Sequence, residues 1–217
     1  VKEEILEQVF AMFLEKGFSD ISTNEIIREA GLTKGGFYYA FKSREELIRR
    51  INETYIRPYF FLPLEQMKKN WDERRDDDTT QELMWRCFFE PQRFSHYLDH
   101  IEQQIVFRDF YFLLYEGMKR FAQVQEYSRA QIQARQQYLM WILERGRQRG
   151  EISGDIELED CVTMILAMQD GILALKVMDE SIDDEEKYRN VERQILKDIG
   201  TERDNPYLEG GAENAVS

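Results

Sequence analysis

An all-α fold of about nine to ten helices is what this chain predicts, and three observations carry the expectation. Its long apolar segments repeat at three- and four-residue steps, the helical period. Only 4 prolines and 12 glycines interrupt its 217 residues. Helix-entry signals of the form Ser-x-x-Glu stand directly ahead of apolar runs. With 42% hydrophobic and 13% aromatic residues the chain can bury a sizeable core, which argues against wholesale disorder.

The first helix is expected from Lys2 to Lys16, where Ile5, Leu6, Val9, Phe10, Phe13 and Leu14 share a side and Gly17 supplies the stop. Ser22 and Glu25 read as a capping box with Ile21 and Ile26 as the staple, opening a short second helix that ends at Ala30–Gly31. Thr33 is the N-cap of a third helix, which stops near Phe41 because Ser43 and Glu46 form another box. Three helices in 42 residues, the last two joined by a glycine turn, have the shape of a helix-turn-helix.

A fourth helix should run from Arg44 to Arg57, where Pro58 and Pro63 kink or break it, with another from Leu64 to Glu73. Beyond the charged loop "DERRDDDTT", helices are expected near 80–90, 92–103 and 105–121. Ile105–Met118 is apolar at 10 of 14 positions, the most apolar run found, which puts it at the centre of the body. Two long helices follow, near 123–149 and 157–179, parted by Gly150 and Gly154, then a last one near 184–199. The expected division is a DNA-binding domain over 1–50, a helical effector and dimerisation domain over 51–200, and a flexible tail over 201–217.

The third helix carries the chemistry. At 100° per residue, Lys34, Gly35, Tyr38, Tyr39 and Lys42 fall within one arc of about 140°, while Gly36, Phe37, Ala40 and Phe41 fall opposite. One side is apolar or small and suits packing. The other offers two lysines, two tyrosines and a bare backbone. Glycine in a helix costs about 1 kcal/mol relative to alanine, so Gly35 on the open side implies close approach by something else. Gly36, on the packing side, needs only a close helix contact. A helix start favours an anion, lysine can donate to guanine, and tyrosine hydroxyls hold phosphates.

Charge supports a nucleic-acid role once it is resolved by region. The net charge is −13, and residues 1–50 hold 8 basic against 9 acidic side chains, leaving −12 elsewhere. From Leu32 to Arg50 the balance is +3, a locally basic module on an acidic body.

The segment "STNEIIREAGLTKGGFYYAFKSREELI", residues 22–48, resembles the DNA-binding segment of the tetracycline-repressor (TetR) family of bacterial transcriptional regulators, and the likeness extends over 5–51. "ILERGRQRGEI" is similar, more loosely, to that family's C-terminal core. The resemblance implies that Thr23 touches phosphate and that Thr33, Lys34, Gly35 and Gly36 lie at or near the bases. It assigns Tyr38, Tyr39, Lys42 and Arg44 to the DNA backbone. Ala40 departs from the histidine or tyrosine that many relatives carry, and no basic arm precedes Lys2.

The same resemblance implies a homodimer reading a palindromic operator, repression, and a small effector bound among the C-terminal helices. Tyr138, Leu139 and Ile142, with Val162, Ile165, Leu166, Ile172 and Leu173, form broad apolar faces suited to the dimer. Effector candidates are Trp85, Phe88, Phe89, Phe107, Phe110, Tyr111, Leu114, Tyr115, Met118 and Trp141, which point to a bulky, mostly apolar ligand. The interleaved Glu90, Asp109 and Glu116 suit a cation or ion pairs.

The rival class is a metal-responsive regulator or a metal-binding helical enzyme built on His96 and His100 at i and i+4, with Asp99, Glu102 and Cys87 nearby. No HExxH pattern, phosphate-cradling glycine loop or Ser/His/Asp arrangement accompanies them, so no enzyme activity, metal or cofactor is expected. Cys87 and Cys161 make no disulfide pattern, and no leader or membrane span is apparent. A cytoplasmic protein is the expectation.

Overall fold

A computed structural model describes residues 2–101 and 105–201. Among these the regular structure is helical, apart from one isolated antiparallel bridge between Ile152 and Gly200. The helices are α1 (Lys2–Lys16), α2 (Thr23–Glu29), α3 (Lys34–Ala40), α4 (Arg44–Ile51), α5 (Arg57–Asp72) and α6 (Thr80–Met84). Then come α7 (Phe94–Leu98), α8 (Phe107–Arg120), α9 (Ala122–Gln148), α10 (Leu158–Met178) and α11 (Asp184–Ile199). The expected tail beyond Thr201 and Glu102 beside the histidines lie outside the described residues, as does Val1.

Two compact units form, and they do not split at residue 50. The first is built from the described parts of 1–63 and 94–131, the second from those of 64–93 and 132–217. Both α5 and α9 contribute to each.

In the first unit α1 buries Ile5, Leu6, Val9, Phe10 and Phe13, and α8 packs against it. The Phe10 ring lies on Tyr55 at 4.1 Å between centroids. Phe94, Tyr97 and Phe110 form a second ring cluster with Tyr59, the closest pair being Tyr97 and Phe110 at 4.7 Å. In the second unit Leu139, Ile142 and Leu143 of α9 meet Val162, Ile165, Leu166 and Ile172 of α10. Phe88 and Phe89 close one end, and Tyr188, Ile195 and Leu196 of α11 cover the rest. Each such side chain contributes about 1.5–3 kcal/mol by leaving water.

Three expectations are corrected. Pro58 and Pro63 do not break the chain: α4 passes into α5 through a π turn at Asn52–Ile56, and Pro63 sits inside α5. Proline lacks an N–H and its ring crowds the carbonyl four residues back; the wider turn just before Pro58 gives it room. Within the described part of the expected 92–103 helix, the helix is Phe94–Leu98, followed by a turn at Asp99 and His100. The 105–118 run is not the centre of a body. Helix α8 packs by Phe107, Phe110, Leu113, Leu114 and Gly117, while Val106, Phe112 and Tyr115 face water, Phe112 being 61% exposed.

The most apolar helix is α10 instead, the one helix among the described residues long and apolar enough to cross a membrane by length and composition. Its inner side packs in the core, and Asp170 on its outer side accepts from the buried Arg135 of α9 at 2.9 Å.

The acidic loop before α6 is tied down rather than merely solvated. Buried Asp78 accepts from the Arg75 backbone N–H at 2.7 Å and pairs with Arg75 and Arg86. Arg145 of α9 donates to the carbonyls of Asp76 and Asp78, each at 2.8 Å. The backbone N–H, ahead of the arginines, holds the Asp78 carboxyl below the usual range.

Candidate nucleic-acid interface

The helix-turn-helix is assembled by caps and one left-handed glycine. Ser22 Oγ accepts from the Glu25 N–H at 3.1 Å and starts α2. Glu25 then reaches Lys16 at 3.0 Å, linking α2 to α1 instead of completing a capping box. At the far end Gly31 has φ +64, which costs glycine nothing. There the N–H of Leu32 bonds to the Ile27 carbonyl at 2.9 Å and that of Gly31 to Arg28 at 3.1 Å. This double closure satisfies the last carbonyls of α2 and turns the chain sharply into α3.

Thr33 Oγ1 accepts from the Gly36 N–H at 3.0 Å and starts α3. A Cβ at Gly36 would stand 3.1 Å from that oxygen, so Gly36 accommodates its own cap rather than a neighbouring helix. A Cβ at Gly35 would meet nothing within 4 Å, leaving open space above the backbone. Phe37 and Phe41 are buried, while Lys34, Gly35, Tyr38, Tyr39 and Lys42 are exposed. Tyr39 is 91% exposed and Tyr38 48%. The helix, Lys34–Ala40, therefore has a buried Phe37 keel and an open strip carrying the Lys34 ammonium and two phenols, and Lys42 follows two residues after it, past the extended Phe41.

Thr23, half-buried at the start of α2, lines a hollow of 740 Å³ with Ser22, Arg44, Ile48 and Arg120. The Arg44 guanidinium donates through Nη2 to the Phe18 carbonyl at 2.7 Å and sits 5.9 Å from the Phe13 ring centroid, so part of the group expected at DNA is engaged inside the chain.

Residues 5–51 match the family model described as bacterial regulatory proteins, tetR family. Two uncharacterized HTH-type transcriptional regulators of Bacillus subtilis (strain 168) are similar to part of the chain. YfiR is 43% identical over 51 residues, 24% of this chain and 25% of that protein. YerO is 42% identical over 55 residues, 25% of this chain and 19% of that protein. The chain thus spans a quarter or less of the curated relatives it matches. Residues 5–51 are a TetR-family helix-turn-helix.

Solved TetR regulators share the fold far beyond that segment. PfmR from Thermus thermophilus superposes with a TM-score of 0.56 at 20% identity, covering 89% of this chain and 97% of its own. A TetR transcription regulator from Haloarcula marismortui gives 0.60 at 16%, covering 92% and 98%.

The residues expected to hold an effector are divided between the two units. Phe107, Phe110, Tyr111, Leu114, Tyr115 and Met118 belong to the first unit, and Trp85, Phe88, Phe89 and Trp141 to the second. Phe107, Phe110 and Leu114 are core, and Met118 is half-buried. The hydroxyls of Tyr111 and Tyr115 meet at 3.2 Å on α8. Phe88 and Phe89 are buried 5.2 Å apart, ring against ring. Trp85 already carries the Arg189 guanidinium 3.6 Å above it. Trp141 stacks on Trp71 at 5.7 Å beside a surface hollow of 390 Å³ lined also by Arg74, Asp76 and Glu144. Of the acidic residues set among them, Glu116 is committed to the α1–α2 turn.

The residues expected at a dimer interface are corrected in large part. Leu139, Ile142, Val162, Ile165, Leu166 and Ile172 are buried in the chain's own core, and Tyr138 and Leu173 lie partly buried against it. The free apolar line on α10 is Met164, Leu175 and Met178, the last 77% exposed. Their spacing, together with Ala167 and Gly171, makes a second helical stripe, less β-branched than the buried one.

His100 Nδ1 lies 2.8 Å from the His96 carbonyl oxygen and donates to it. Among the described residues no three His, Cys, Asp or Glu side chains gather in a way that could hold a metal ion. Cys87 and Cys161 are unpaired and buried, and burial pushes both thiols up.

Proposed function

We propose that the chain is a transcriptional repressor that binds a palindromic operator in double-stranded DNA as a homodimer and is released by a small, mostly apolar effector. It works in the cytoplasm and catalyses no reaction. The observation that carries this reading is the two-sided α3, with Phe37 locked inside and Lys34, Gly35, Tyr38 and Tyr39 open, followed by buried Phe41 and exposed Lys42, within a TetR-family segment.

Helix α3 enters the major groove from its Lys34 end. The bare backbone at Gly35 lets base edges approach, and the Lys34 ammonium donates to guanine O6 or N7. Tyr38, Tyr39, Lys42 and Thr23 hold phosphates on either side and fix the register. Arg44, one of whose nitrogens bonds to the Phe18 carbonyl, stands with them on the backbone side.

Dimerisation uses the outer stripe of α10. Beside it Gln133, Gln136, Gln137 and Met140 of α9 border a 500 Å³ hollow with Val162 and Thr163, a surface a second copy could fill. Two copies of α3 on a two-fold axis read half-sites about one helical turn apart, or a multiple of it. An effector that prefers the non-binding arrangement of the heads releases the DNA.

Sequencing the DNA fragments retained by purified protein tests the reading directly. Lys34→Ala is expected to cost about 1–3 kcal/mol and relax the sequence at one position. Lys42→Ala should weaken all sequences alike and lower the salt slope by about one. Unchanged affinity in both variants overturns the interface.

A further inference from the structure

Phe18, in the turn between α1 and α2, is held at every point where it can be held. Its backbone N–H donates to Glu116 Oε2 of α8 at 2.8 Å. Its carbonyl accepts from Arg44 Nη2 of α4 at 2.7 Å. Its ring packs on Phe13 at 4.9 Å and edge-on to Phe121 at 5.0 Å. Gly117 of α8 lies beside that ring, where a Cβ would make ordinary contact at 3.6 Å.

Glu116 does more than accept one bond. Its other oxygen takes the Ser19 hydroxyl and the Arg120 guanidinium, the latter at 2.8 Å. A Cβ at Gly17 would lie 2.7 Å from Glu116 Oε2, and Gly17 has φ +80. The left-handed turn favours glycine here, and its bare Cα leaves the carboxylate room. The carboxylate is only 21% exposed, so its bonds are partly shielded from competing water. None of these contacts follows from the reading of α3 as a DNA-binding helix.

We infer that Glu116 is a positioning residue for the helix-turn-helix: it clasps the α1–α2 turn to α8 and, through Phe18 and Arg44, fixes the pose of α2 and α3. A displacement of α8 pulls on the Phe18 N–H and the Ser19 hydroxyl together, and Arg44 carries the shift to the start of α4, just after α3. Charge-assisted bonds to a carboxylate are among the stronger hydrogen bonds in proteins, so the clasp can transmit such a shift instead of yielding first.

The inference rests on the proposed DNA binding, and its test keeps the two apart. Operators are first selected from random DNA with the wild-type protein; selection of none overturns the DNA-binding reading itself. With operators in hand, Glu116→Ala and Ser19→Ala are compared with wild type on the selected operator and on versions carrying one or two extra base pairs between half-sites. Glu116→Ala should bind the selected operator about tenfold more weakly while losing most of the penalty for altered spacing, because a loosened head tolerates more than one separation. Ser19→Ala, which keeps the Phe18 bond, should fall between the two.

Hydrogen exchange at the Phe18 amide provides a readout that needs no DNA: protection should drop at least about tenfold in Glu116→Ala and persist in Ser19→Ala. Unchanged spacing preference together with unchanged Phe18 protection overturns the inference. If Glu116→Ala does not fold, Glu116→Gln decides by the same two readouts. Retained wild-type spacing preference in a Gln variant that has lost Phe18 protection overturns it as well.

Discussion

Helices α3 and α10 are both two-sided, and they differ in how their sides differ. On α3 the buried side is phenylalanine and the open side is lysine, glycine and tyrosine. On α10 the buried side is Val162, Ile165, Leu166 and Ile172, and the open side is Met164, Leu175 and Met178. Chemical contrast across a helix reveals which side is inward. Where both sides are apolar, periodicity says only that the segment is a helix, and the inner side is chosen by what packs against it.

The sharpest way to break this comparison is to remove the keel of the short helix. Phe37 is fully buried in a seven-residue helix that has few other anchors. Phe37→Ala should cost about 3–5 kcal/mol. Urea unfolding followed by a probe in the first unit measures it, and a loss under about 1 kcal/mol would mean that the keel is not what holds α3.

A second effect lies on α11, which packs against α10. Burial raises the Glu192 carboxyl from the usual 4.5 to about 7, while Arg189 and Arg193 pull it the other way. The folded chain therefore keeps a proton that the unfolded chain has released. Stability from this group is fully present below about pH 4.5 and is lost as pH rises through about 7. Between pH 5 and pH 8 the wild type should lose roughly 2–3 kcal/mol relative to Glu192→Gln, measured as the difference between paired urea curves. Parallel pH profiles for the two proteins would show Glu192 already ionised in the fold.

The third and smallest effect on the folded monomer tests the open side of α10. Leu175→Glu should shift unfolding by less than about 0.5 kcal/mol, since the side chain lies in water. It should also weaken self-association at least about tenfold by placing a charge where a partner copy must desolvate it. Sedimentation velocity over a dilution series reads this, and an unchanged association constant would move the interface elsewhere.

Much of the first unit was legible because it is written in local chemistry. Ser22, Thr33 and Ser43 each accept from the N–H three residues on, as their spacing implies. Gly31 turns the chain where a left-handed residue was needed. The open strip of α3 follows from side-chain angles alone. Local rules misled where a partner distant in sequence offered more. Arg44 carries a charge that suits phosphate, and one of its nitrogens also bonds to the Phe18 carbonyl, 26 residues away, which no local rule shows. Glu116 looks like one more acid on an aromatic helix until the α1–α2 turn, nearly a hundred residues earlier, arrives at its oxygens. Pro58 and Pro63 mark a break by every short-range rule, yet a π turn carries the helix past Pro58 and Pro63 sits within α5.

By itself the sequence determined the all-α class, the caps and turns that end each early helix, and the two faces of α3. All of these depend on residues within about one or two helical turns of one another. Only the tertiary structure decided which apolar stripe of α10 faces inward, that α8 serves the first unit with half its surface in water, and which charges are already taken. Those choices depend on which surfaces can reach one another and exclude water, and burial gains the same free energy for either of two comparable stripes until a neighbouring helix selects one.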